Sequence, residues 1–98
     1  MNVRVFLHIA MEDKGTEKKR HLTVYKDVDM PFLPTVGTDV SDSHWGDALK
    51  KVVESTLVLD RDSRAEGVVY LAPDKLDLSE ENFEAYKQGY IGHGWKVV

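Results

Sequence analysis

Pro31-Phe32-Leu33-Pro34-Thr35-Val36-Gly37 divides this chain of 98 residues into two halves of different character. Each proline lacks an N–H, fixes its own φ and pushes its predecessor out of the helical region, so neither a helix nor a central strand runs through the segment. Phe32, Leu33 and Val36 are nevertheless apolar, and full burial of a Phe or Leu side chain stabilises a fold by roughly 1.5–3 kcal/mol. The expectation is an irregular crossover packed into the core, with Phe32 and Leu33 largely buried. Pro31-Phe32-Leu33-Pro34 also matches the spacing of a polyproline ligand, but such a ligand must be exposed and extended, and the gain from burial favours the core.

Upstream of the crossover, Val3, Val5, Leu7 and Ile9 alternate with Arg4, Phe6, His8 and Ala10, the period of a strand with one well-buried face. Phe6 on the opposite face implies that this side is partly covered as well. A polar stretch with Gly15 follows, and then Leu22, Val24 and Val28 alternate with Thr23, Tyr25 and Asp27. Two such strands joined by a charged turn predict an antiparallel hairpin that ends before Pro31.

Downstream, Thr38-Asp39-Val40 reads as a short strand, and residues 41–47 read as a turn because of their small polar residues. Residues 48–60 are ambiguous. Leu49, Val52, Val53 and Leu57 have helical spacing behind an N-capping Asp47, whereas Val52, Val53, Thr56 and Val58 are β-branched and favour a strand. The strand is the expectation, with a helical turn over 48–51 as the alternative. Residues 60–67 form a hydrophilic turn leading to a second apolar strand, Val68 to Ala72, closed by Pro73 and paired with the preceding one as a hairpin.

The last third predicts a helix over residues 80–90. Ser79 stands at its N-cap, Leu78 and Phe83 take the positions of a hydrophobic staple, Glu80 and Glu81 complement the dipole, and Phe83, Tyr86 and Tyr90 share one face. Gly89 and Gly92 end it, and Trp95, Val97 and Val98 supply a final edge strand. The sum is a single α+β domain over residues 1–98: a mostly antiparallel, curved sheet or small open barrel of five to six strands, with one C-terminal helix packed on it.

Composition bounds the function classes. With 42% hydrophobic and 31% charged residues the chain is an ordinary globular domain, long enough to bury a core without a metal or disulfide. Zero cysteines removes disulfides, thiolate metal sites and thiol nucleophiles. No apolar run approaches 18 residues and no leader pattern is visible, so a soluble protein in the cytoplasm, without membrane contact, is expected. The net charge of −4 is uneven: residues 1–26 carry six Lys/Arg against three Asp/Glu, and the remainder seven against fourteen. The acidic majority repels phosphate backbones and disfavours nucleic acid. The exception is a basic patch of Lys18, Lys19, Arg20 and Lys26, which could bind a single strand only if these residues lined one face with Tyr25 free to stack. As a hairpin tip it needs no such role.

No motif names a chemistry. His8, His21, His44 and His93 lack the short spacings of metal ligands, so no metal site and no cofactor are expected. Asp42-Ser43-His44 holds the residue types of a hydrolytic triad, but consecutive side chains point apart, and no Gly-x-Ser-x-Gly elbow occurs. The chain is therefore expected to lack catalytic residues, and His44 is expected to be exposed beside Trp45. Asp60 to Leu71 begins like a calcium loop but places Arg64, Ala65 and Leu71 where an oxygen ligand, a glycine and a bidentate carboxylate belong. Glu80, Glu81 and Glu84 serve the helix dipole, and Gly92-His93-Gly94 lacks the third glycine of a phosphate-cradling loop and precedes a strand-like tail, not a helix.

What remains is aromatic. Trp45 stands in a polar turn and Trp95 between Gly94 and Lys96, and tryptophan serves equally as core and as binding anchor. His44, Trp45, His93 and Trp95 matter as a binding surface if the fold gathers them into a concave patch beside the crossover. The leading expectation is a small non-enzymatic protein-binding or adaptor domain, acting on a protein partner or as a homodimer. The alternatives are a small-ligand carrier or small enzyme with a pocket between sheet and helix, and a weak nucleic-acid binder through the basic hairpin.

Overall fold

A computed structural model describes the backbone of residues 1–98 and every side chain except those of residues 80 and 81. The expected role of Glu80 and Glu81 at the helix dipole lies outside the described side chains. Two twelve-residue strands, β1 (Asn2–Asp13) and β2 (Lys18–Asp29), pair antiparallel from Asn2 with Asp29 to Asp13 with Lys18. The alternation in sequence sets the register: Val3, Val5, Leu7, Ile9 and Met11 face one side with Leu22 and Val24, and all seven are buried. At the other end of the hairpin, Met30 N–H donates to Met1 O at 2.9 Å, so the chain enters the crossover tied to its own first residue.

The remaining strands are β3 (Asp39–Val40), β4 (Lys50–Leu57), β5 (Gly67–Leu71), β6 (Asp74–Asp77) and β7 (Lys96–Val97). A 3-10 turn over Ser43–Trp45 and helix α1 (Glu80–Gly92) complete the chain. The sheet runs β3-β4-β5-β1-β2-β7, with β6 also beside β1. Pairing is antiparallel except where β5 and β6 lie parallel to β1. The fold is thus α+β with an open, mostly antiparallel sheet of seven strands and one helix; it has more strands than the sequence predicts and does not close into a barrel. The additional strand is β6. Pro73 interrupts the run after β5, and the chain rejoins β1 one step further along instead of leaving the sheet.

Residues 50–57 are a strand, as their β-branched content indicates, and not the alternative helix. The ladder to β5 shifts by one residue between Val52 and Glu54, so Val53 sits at an irregularity and exposes its side chain. Helix α1 places Tyr90 in the core, with Phe83 and Tyr86 half-buried against it. Ser79 occupies the N-cap position but makes no capping hydrogen bond; its Oγ instead accepts from Asn82 Nδ2 at 3.0 Å.

The crossover departs from expectation. Phe32 is 72% exposed and Val36 is exposed, while Leu33 alone turns inward and is half-buried. Gly67 is the reason one of two adjacent apolar residues takes the seat. A Cβ at Gly67 would lie 2.5 Å from Leu33 Cδ1, so the bare backbone of β5 forms a socket for Leu33. With Leu33 seated there, Phe32 at the bend before it stays in solvent. The segment then runs beside β4. Ser55 Oγ donates to Pro34 O, Gly37 N–H to Val52 O at 2.8 Å, and Val52 N–H to Thr38 O at 2.9 Å.

Candidate functional site

Asp42 organises the first cluster. It caps the 3-10 turn by accepting the His44 N–H at 3.0 Å on Oδ2, and the same oxygen accepts the Trp95 indole N–H at 3.0 Å. Oδ1 accepts from Lys26 Nζ at 2.6 Å. Burial opposes ionisation of Asp42 most strongly, but the three donors together hold its carboxyl below the usual carboxylate range. Lys26 also donates to His93 O at 2.8 Å and lies 5.0 Å from the Trp95 ring centre. A residue of β2 thereby fixes both the 3-10 turn and the segment between α1 and β7.

Four expected surface residues converge around this anchor. The Trp45 and Trp95 rings lie 5.8 Å apart, and the His44 and His93 rings 4.8 Å apart. Trp45 Nε1 donates to the Tyr90 hydroxyl at 3.2 Å, and the His44 ring meets Tyr90 edge-on at 4.4 Å. His44 is half-buried, not exposed as the turn-like sequence implies, because the short turn of helix swings it onto α1 at Gly89. Burial first, and then the neighbouring His93, push its pKa below that of an ordinary imidazole. Trp95 is only 4% exposed and belongs to the core, whereas Trp45 is half-buried. The Tyr86 phenol is pushed up by burial and by its hydrogen bond to Tyr90.

Ser43 Oγ and His93 Nδ1 are 2.8 Å apart, a contact between residues fifty positions apart that spacing could not reveal. A serine bonded to an imidazole is the beginning of a nucleophile and base pair. Asp42, the adjacent carboxylate, is not a third member, because its oxygens accept from Lys26, Trp95 and the His44 backbone. Among the described residues no group of three or more His, Cys, Asp or Glu is placed to hold a metal ion.

Between the sheet and the crossover lies a groove of about 170 Å³. Val5 and Val69 form its floor, Met30, Pro34 and Val40 its wall, and Trp95 one end. No histidine lines it. Five large hydrophobics on the crossover and on or just beyond β4 are left in solvent: Phe32, Val36, Val53, Leu57 and the 84% exposed Leu59, together termed the belt. The two segments run side by side through the bonds at Val52 and Ser55, and Leu33 lies over Gly67, the register partner of Leu57.

The basic residues do not gather on one face. Strand alternation puts Lys19 on the outer face with Tyr25, and Lys18, Arg20 and Lys26 on the inner one. The Arg20 guanidinium lies over Phe83 at 4.7 Å, Lys26 is held by Asp42, and Arg4 covers the Tyr25 ring at 4.4 Å while bonded to Asp27. Hydrogen bonding to Arg4 holds the Asp27 carboxyl below its usual range. His8 and His21, too far apart in sequence to suggest a pair, share a hydrogen bond between ring nitrogens at 3.2 Å on the outer face. Among the described residues no helix is long and apolar enough to cross a membrane. Compared with known proteins, the chain matches no family model, no curated protein and no solved structure.

Proposed function

We propose that this chain is a non-enzymatic protein-binding domain whose binding surface is the belt of Phe32, Val36, Val53, Leu57 and Leu59, and that its occupant is a second copy of the chain. The observation that carries the reading is that Phe32 is 72% exposed on a crossover whose backbone is bonded to β4, the strand that ends in the exposed Leu57 and leads to the exposed Leu59. Together these side chains leave on the order of 500 Å² of apolar surface in water. A stable interface buries about 800 Å² per partner, and homodimer interfaces are about 65% apolar. The belt therefore supplies roughly the apolar share that one side of a homodimer requires. A surface that pairs with itself about a two-fold axis also closes, leaving no sticky patch to propagate.

The aromatic cluster supports this reading as scaffold. Asp42, Lys26 and Trp95 lock the chain just after the crossover, and Leu33 locks its middle. The crossover thus presents Phe32 on a fixed backbone, which lowers the ordering cost of association. Size-exclusion chromatography with light scattering tests the proposal. Dimer mass at tens of micromolar is expected, and monomer mass throughout would contradict it.

A further inference from the structure

Resting on that reading of the belt, we propose that the groove between crossover and sheet receives the Phe32 side chain of the second copy, so that each copy gives one phenyl ring and accepts one. The groove of about 170 Å³ has the size of a single aromatic side chain and is walled by valines, Met30, Pro34 and Trp95. Its own Phe32 stands between two of those wall residues yet does not line it, and is 72% exposed. Turning inward is blocked on both sides. Pro31 and Pro34 fix the local backbone, and Leu33 would have to leave its socket at Gly67, while Ser55 holds Pro34 O and Met1 holds Met30. The chain thus carries an unfilled apolar groove and, at its rim, an unburied ring that cannot reach it. A second copy supplies the same ring from outside, and a two-fold axis through the crossover makes both transfers at once. The apolar floor suits the ring, and the two charged groups among the described lining residues, Lys26 and Asp42, neutralise each other at 2.6 Å.

The test is complementation between two variants, read by sedimentation equilibrium. Phe32→Ala lacks the ring but keeps the groove; Ser41→Phe keeps the ring but fills the groove from its exposed rim, with Val40→Phe as a second way of filling it. A buried aromatic anchor is worth about 30-fold or more in Kd. Each variant alone should dimerise at least that much more weakly than the wild type. Mixed, they should form a heterodimer at least tenfold tighter than either homodimer, because one ring and one groove again meet. A Phe32→Ala protein that dimerises like the wild type would overturn the inference and leave the belt reading standing, provided Leu57→Asp/Leu59→Asp still separates the copies. Weakening by Phe32→Ala without complementation would likewise overturn it, placing Phe32 in the interface but outside the groove. A wild type that never dimerises would remove both.

Discussion

The indole N–H of Trp95 donates to Asp42, whose other oxygen binds Lys26, so the residue leading into the last strand, the first hairpin and the turn after the crossover meet on one carboxylate. Removing it leaves the Trp95 indole N–H and the His44 N–H without their acceptor and Lys26 with only His93 O, in a half-buried setting, a loss of the kind that costs about 2–3 kcal/mol. Asp42→Ala should lower stability by about that amount in urea unfolding. Lys26→Met, which retains the carboxylate's other two donors and the packing on Trp95, should cost about half as much. Equal losses would show that the carboxylate has no organising role.

The pH dependence has a definite sign. His44 has a folded pKa below its ordinary value of 6.5, because burial and His93 disfavour its charge. The unfolded chain then binds the extra proton first, so this contribution is present above pH 6.5 and is lost as pH falls from there through the lowered folded value. Asp42, depressed from 3.8, adds a second loss in acid below that value. Thermal melts should shift down between pH 7.5 and 5.5, and His44→Phe should flatten that window while leaving the acid limb. An unchanged pH profile in His44→Phe would contradict the burial of the imidazole against Tyr90.

Gly89 lies in α1, where replacing glycine by alanine ordinarily stabilises by about 1 kcal/mol. Here a Cβ would come 2.9 Å from Cε1 of the His44 ring, which Tyr90 backs. Gly89→Ala should therefore destabilise, and His44→Ala in the same chain should restore the ordinary gain. A stabilising Gly89→Ala in the wild-type background would show that His44 does not sit on the helix.

Gly67 is the socket of Leu33. Gly67→Ala forces the leucine outward and should cost about 1–2 kcal/mol, less in a Leu33→Ala background. Additive effects in that double-mutant cycle would mean that the two positions do not touch.

Much of the architecture could be read from the chain because local periodicity carries it. Alternation from Val3 to Ile9 and from Leu22 to Val24 identifies the hairpin, the β-branched run at 52–58 identifies β4, and the spacing of Phe83, Tyr86 and Tyr90 identifies the helix face. The parallel pairing of β1 with β5 was not legible, since it joins Val5 to Val69 across more than half the chain. Nor was the crossover: Phe32 and Leu33 are equally apolar, and the choice between them is made by a glycine on another strand. The gathering of His44, Trp45, His93 and Trp95 was foreseen only as a condition. Asp42 and Lys26, which enforce it, look in sequence like a turn former and part of a basic patch, since a solvated carboxylate and a structural one are alike there.

The central claim is that the belt beside the crossover joins two copies of this chain. Sedimentation equilibrium of the wild type and of Leu57→Asp/Leu59→Asp over a hundredfold range of concentration measures it directly. These side chains are already exposed, so the variant should keep the wild-type circular dichroism and melting temperature at low concentration. The account predicts a wild-type monomer–dimer equilibrium with a Kd in the micromolar range or tighter, and a variant that is monomeric at every concentration; a wild type that is monomeric throughout, or a variant that dimerises equally well, would contradict it.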